Sequence, residues 1–150
     1  MTQTDTTWPA EHPTLYERLG GIFGIAAIMD VLTDRLFENA WANRNPYVAK
    51  MHERNGRPGF KFMVTAWSAE VTGGPACYPG RDMHDAHKDM VCTEHDFDVV
   101  ALEIAATLSF CGVGLQEQKE YLAIIEGFRR QVIDAPANEK ARTVEKAAVG

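Results

Sequence analysis

An all-α, single-domain fold is predicted by three features of this 150-residue chain. Every long patterned segment repeats its apolar residues at helical spacing, and none alternates with the period of two that a strand needs. The helical segments are punctuated by breaker clusters, chiefly Gly20-Gly21, Gly73-Gly74-Pro75 and Gly112-Val113-Gly114. The composition, 45% hydrophobic and 24% charged, is that of a globular chain. Its length is enough to bury a core without disulfide or metal staples.

A short first helix runs from Leu15 to Leu19 and is closed by Gly20-Gly21. Between Gly24 and Glu38, Ile25, Ile28, Met29, Leu32 and Leu36 fall on one face of a second helix. Gly59 to Val71 carries Phe60, Met63, Val64, Trp67 and Val71 in the same rhythm, with Pro58 just ahead, where a missing N–H costs nothing. Gly73, Gly74 and Pro75 stop that helix. The connection Asn43–Arg54 is long and polar, without an apolar stripe. Thr93 opens the next helix, with Asp96 completing a capping-box-like start and Phe97, Val100, Ala101, Ile104 and Leu108 forming its stripe. The last helix carries Tyr121, Ile124, Ile125, Phe128 and Val132 and ends before Pro136. The short glycine turn between these two predicts antiparallel packing. Residues 1–13 read as a flexible leader, 14–134 as the domain and 135–150 as a disordered tail.

The net charge of −6 argues against a nucleic-acid partner. No apolar run approaches the roughly 20 residues of a membrane span, and no N-terminal export signal is visible. Three cysteines, an odd number without a CxxC pair, argue against a disulfide framework or zinc ribbon and for a cytoplasmic location. Cys77, Cys92 and Cys111 read as small apolar residues rather than reactive thiols. His84, His87, Asp82 and Asp85 could gather a divalent ion, but the three or four convergent ligands usual for zinc are not evident. No histidine has the Glu-x-x-His spacing of a di-iron bundle.

The segment Gly73–His87 stands apart: Gly-Gly-Pro-Ala-Cys-Tyr-Pro-Gly-Arg-Asp-Met-His-Asp-Ala-His, or GGPxxYxGRxMxxxH. It resembles the E–F corner and proximal histidine of group I truncated haemoglobins. Thr14-Leu15-Tyr16-Glu17-Arg18-Leu19-Gly20-Gly21 resembles that family's opening, and both of its glycine pairs are present. The resemblance covers roughly Leu15 to Asp134. It implies a two-over-two sandwich in which a B/E helix pair and a G/H pair enclose haem b.

The resemblance also implies roles. His87 would ligate haem iron, leaving a sixth position for a gas, with His84 a surface residue or a neighbour of a haem propionate. The family's distal tyrosine on helix B falls at Leu32, its helix-E glutamine at Val64, and the position facing the iron at Phe60, so the distal pocket would be apolar. Trp67, one turn from Val64, is the preferred hydrogen-bond donor; Thr65 and His52 are others, and His52 could become a sixth ligand. Met83, Phe97, Ile104 and Phe128 would pack on haem. Lys61, Arg81 and the Tyr78 hydroxyl would serve the propionates. The phenylalanine pair that braces haem at the B–E corner is missing, with Tyr47 or Phe62 as replacements.

Each of these residues also has an ordinary structural reading. Leu32, Phe60, Val64 and Trp67 are apolar core, and Lys61 and Arg81 are solvated cations. The implied function is reversible binding of O2, NO or CO by a monomer or weak dimer, served by a reductase. Alternatives are nitric oxide dioxygenation, a six-coordinate sensor or redox protein, and a haem-free helical scaffold.

Overall fold

The computed structural model describes residues 12–133. Most of the expected leader and all of the expected tail therefore lie outside the described residues. These form α1 (Leu15–Arg18), α2 (Gly21–Glu38), a 3-10 turn (Ala42–Arg44), α3 (Pro46–Val71), α4 (Met83–His87), α5 (Glu94–Phe110), α6 (Leu115–Gly127) and α7 (Arg129–Ile133). There is no strand among the described residues. α2 packs on both α3 and α5, and α5 on α6, which is the expected two-over-two arrangement.

Local chemistry explains the boundaries. Thr14 Oγ1 accepts from the Glu17 N–H at 3.1 Å and starts α1. The expected capping box on α5 is complete: Asp96 N–H donates to Thr93 Oγ1 at 3.1 Å, and Thr93 N–H to Asp96 Oδ2 at 3.0 Å. α3 ends into Gly73, whose φ of +98° a side chain would resist. At Gly74 a Cβ would overlap the Tyr16 ring and the Ala69 carbonyl, so the second glycine of that pair lets α1 lie against α3. The Tyr16 N–H donates to the Thr72 carbonyl at 2.9 Å across the same contact.

Two elements differ from the sequence reading. The polar connection before Gly59 is largely helical: Pro46 stands in the first turn, Asn45 caps it, and helix continues to a kink at Gly56 (φ +70°, ψ 164°). It escaped the periodicity argument because Lys50, Glu53, Arg54 and Asn55 face solvent and leave no apolar stripe. Pro58 then falls in the first turn after the kink, where a proline is tolerated. The last helix is interrupted at Phe128, after which α7 turns Val132 and Ile133 inward.

The core is divided. The larger cluster joins Ile25, Ile28, Met29, Leu32 and Leu36 of α2 to Ala69 of α3, Ile104 and Leu108 of α5 and Tyr121 of α6. The smaller joins Cys92 and Phe97 to Val132 and Ile133, with Met83 and Met90 against it. Each fully buried Ile or Leu contributes about 1.5–3 kcal/mol. Ser68 and Ala69, both at 0% exposure, let α3 approach α2 closely, and Ser68 Oγ meets the buried Tyr121 hydroxyl at 2.9 Å.

Candidate functional site

The site is built around α4, a helix barely more than one turn long. Asp82 caps it by accepting from the Asp85 N–H at 2.8 Å. The Tyr78 hydroxyl donates to the Arg81 carbonyl at 2.7 Å, and Arg81 Nη1 donates to the Asp85 carbonyl at 3.0 Å, stapling the corner to the helix it feeds. A Cβ at Gly80 would meet the ends of the Met63 and Tyr78 side chains, so the glycine lets both close on the corner. The motif residues Tyr78, Gly80, Arg81 and Asp82 thus act together to set where His87 stands.

His87 is half-buried, and its Nδ1 lies 2.8 Å from the Met83 carbonyl. A carbonyl only accepts, so Nδ1 carries the proton and Nε2 keeps its lone pair, the form a metal ligand needs. Burial pushes the His87 pKa below the usual histidine range; the Met83 bond opposes this and Arg81 adds to it. The imidazole is therefore neutral at physiological pH.

α3 presents Phe60, Met63, Val64 and Trp67 at i, i+3, i+4 and i+7, all only half-buried, whereas Ala66, Ser68 and Ala69 are buried. Phe60 and Val64 pack against the cluster holding Leu32 and Ile104; Met83 and Phe97 belong to the other. Trp67 meets Phe128 edge-on at 5.5 Å between ring centroids. The apolar residues expected to line a pocket therefore fall into two groups, one on the α2/α3 side and one on the α4/α7 side.

Comparison with known proteins decides what this arrangement is. Residues 14–134 match the model of the bacterial-like globin family. The group 1 truncated hemoglobin of Tetrahymena thermophila is 30% identical over 128 residues, covering 82% of this chain and 97% of that protein. This chain belongs to the group I truncated haemoglobins. Group 1 truncated hemoglobin GlbN of Synechocystis is 33% identical over 110 residues, covering 67% of this chain and 79% of its own length. The Fe(III) form of the truncated hemoglobin from Tetrahymena pyriformis superposes with a TM-score of 0.69 at 27% identity, covering 79% of this chain and 97% of that one. The 2/2 hemoglobin of Synechococcus, solved in the cyanomet state with covalently attached heme, shares the fold with a TM-score of 0.71 at 24% identity, covering 81% of this chain and 98% of that one.

The distal side of this truncated haemoglobin departs from expectation in several places. Tyr47 and Phe62, the expected replacement braces, are 50% and 61% exposed. Near the B–E corner the ring of Phe37 stacks on His52 at 4.0 Å and meets Phe60 edge-on at 5.5 Å. The signal for Phe37 was its spacing of four and eight residues from the buried Thr33 and Met29. Thr33, also overlooked, has a buried hydroxyl that donates to the Met29 carbonyl at 2.6 Å. His52 is half-buried, with Nδ1 2.9 Å from Asn43 Oδ1; burial, then Arg57, lowers its pKa.

The expected propionate partners also have protein contacts. Lys61 pairs with Asp30 at 2.9 Å, an exposed bond that solvent weakens, while Tyr78 and Arg81 hold the α4 corner. Thr65 Oγ1 is buried without a hydrogen-bond partner among the described residues. His84 is substantially exposed and lies 3.4 Å from Asp85; Asp82, His84 and Asp85 come together at the surface, and His87 is not in that group. Cys92 is buried, which pushes its thiol up to about 12, whereas Cys77 and Cys111 are exposed. No helix among the described residues is long and apolar enough to cross a membrane.

Proposed function

We propose that this truncated haemoglobin binds haem b with His87 Nε2 as the proximal iron ligand, and that it reversibly binds O2, NO or CO. The observation that carries the reading is the His87–Met83 bond. It fixes the ligand-competent tautomer of a neutral histidine in a fold whose α3 offers a half-buried apolar stripe of the kind that a flat apolar group covers. Haem iron, when bound, supplies an open coordination position and a redox couple.

The protein's part is to hold, exclude and orient. Leu32, Phe60 and Val64 keep water from the distal side, and Met83, Phe97, Ile104 and Phe128 supply apolar contact. Trp67 brings the only N–H donor of the stripe, and its indole has no acceptor among the described residues. Lys61 and Arg81 would serve the propionates, Lys61 on turning from Asp30 and Arg81 with its remaining donors. A cytoplasmic monomer or weak dimer served by a reductase would fit this role. Nitric oxide dioxygenation is tested by stopped-flow mixing of the oxygenated protein with NO, which must yield stoichiometric nitrate.

A six-coordinate sensor or redox protein is the second reading, favoured by one observation. His52 has its Nδ1 occupied by Asn43 and lies 6.1 Å from Phe60 between ring centroids, on the distal side. Low-spin ferrous spectra abolished in His52→Ala would support it. The deciding experiment for the main reading is absorption spectroscopy of ferric, ferrous and CO forms beside His87→Gly. A Soret band lost in the variant and restored by imidazole is the expected result; no haem uptake by the wild type would overturn the reading.

A further inference from the structure

We propose that Asn45 is a positioning residue of the haem pocket, tying the distal arm over 46–55 to the backbone beneath His87. The inference rests on reading His87 as the proximal ligand. Asn45 is buried, and both ends of its amide are committed. Its Oδ1 accepts from the N–H groups of Tyr47 at 2.9 Å and Val48 at 3.4 Å, capping α3. Its Nδ2 reaches the carbonyls of Met90 at 2.9 Å and Val91 at 3.3 Å, and Asp96 Oδ2 at 3.1 Å. One end meets only donors and the other only acceptors, so the amide has a single orientation.

The far side of this tie is the segment that follows the proximal histidine. Met90 N–H donates to the His87 carbonyl at 3.0 Å, so two hydrogen bonds in series join Asn45 to His87. Val91 sits at φ +51°, a left-handed conformation that a β-branched residue avoids, and the Asn45 donors hold the carbonyls of Val91 and of the residue before it. Asp96 extends the tie to α5, since the same Oδ2 completes the α5 capping box. The near side is an arm bounded by Asn45 and the Gly56 kink, and it carries His52. Displacement of the arm, by a ligand entering or by His52 moving, is therefore transmitted to the loop under His87.

No other side chain fills both roles. Aspartate or serine keeps the α3 cap but has no N–H to offer Met90 and Val91. Asn45→Ser therefore separates capping from tying. In the haem-loaded protein it should shift the ferrous iron–histidine stretching band in resonance Raman spectra. In the haem-free protein it should speed amide exchange of the residue 90–92 segment by about fivefold or more, with helix content by circular dichroism unchanged. Asn45→Asp, which keeps the cap and sets a carboxylate against Asp96, should exceed both effects and serves if the serine variant does not fold. Asn43→Ala, which releases His52 but leaves the tie, should leave exchange at 90–92 unchanged. An unshifted band with unchanged exchange in Asn45→Ser overturns the proposal. If the wild type takes up no haem, the His87 reading and this role fall together. Exchange faster at 90–92 with an unshifted iron–histidine band would reduce Asn45 to a merely structural tie and also refutes it.

Discussion

Val64→Gln measures how far the distal pocket lacks a donor. Val64 is half-buried on α3 beside Phe60 and one turn from Trp67, and it takes no part in the Phe37–His52–Phe60 stack. Glutamine there adds an N–H donor without dismantling those rings. Dioxygen in a haem pocket carries partial negative charge, and a donor to such a group is worth about 1.5 kcal/mol, at the boundary between neutral and charged hydrogen bonds. At about 1.4 kcal/mol per factor of ten, oxygen release should slow by roughly tenfold. CO carries little charge, so its release should change by less than about twofold. The cost to folding is about 1 kcal/mol for placing an amide where an apolar group was half-covered. Stopped-flow displacement of oxygen by excess CO, run beside CO replacement by NO, reads both rates. Equal slowing of both gases would indicate a steric gate. No slowing of either would refute the reasoning that an N–H at position 64 reaches the bound oxygen.

Two other perturbations probe the frame around the pocket. Tyr121→Phe leaves the Ser68 hydroxyl, at 0% exposure, with only the Met29 sulfur 3.9 Å away, and should cost about 1–3 kcal/mol by denaturant unfolding of the apo protein. Adding Ser68→Ala removes the orphaned hydroxyl and should recover part of that loss; a strictly additive double variant would refute coupling. For His52, burial and then Arg57 hold the folded pKa below the ordinary value, so the unfolded chain takes up the proton first as pH falls through about 6.5. Stability is thus lost below that pH, and His52→Phe should lose less between pH 7.5 and 5.5 than the wild type in thermal unfolding. Identical pH slopes would show that His52 is not held neutral.

What was legible in the sequence was whatever repeats or breaks a pattern. The α2 stripe from Ile25 to Leu36, the Thr93–Asp96 capping box and the glycine stops at residues 73 and 112 all follow from short-range chemistry, and the structure contains them. The helical family motif led to His87, and the Met83 bond that readies it is an i−4 contact within the same short helix. The arm over 46–55 was not legible because it carries no long apolar stripe and borrows its order from a cap and a tertiary tie. Asn45, Phe37 and Thr33 were also missed. The roles of Asn45 and Phe37 depend on what lies across the fold, at Met90 and His52, whereas Thr33 turns its hydroxyl back on the Met29 carbonyl of its own helix.

The division of the core into unequal clusters has a consequence for assembly. Five helices share the larger cluster, to which α1 adds Leu15, while the smaller one rests on Cys92, Phe97, Val132 and Ile133, with α4 held to α7. Opening free energy follows the apolar area that must be exposed, so the two halves do not breathe alike. The α4/α7 half, with less apolar area to expose, is the half expected to open first, leaving the α2/α3 wall in place. If His87 is the ligand proposed above, a prosthetic group admitted through that half would meet the α2/α3 wall before the histidine closes on it.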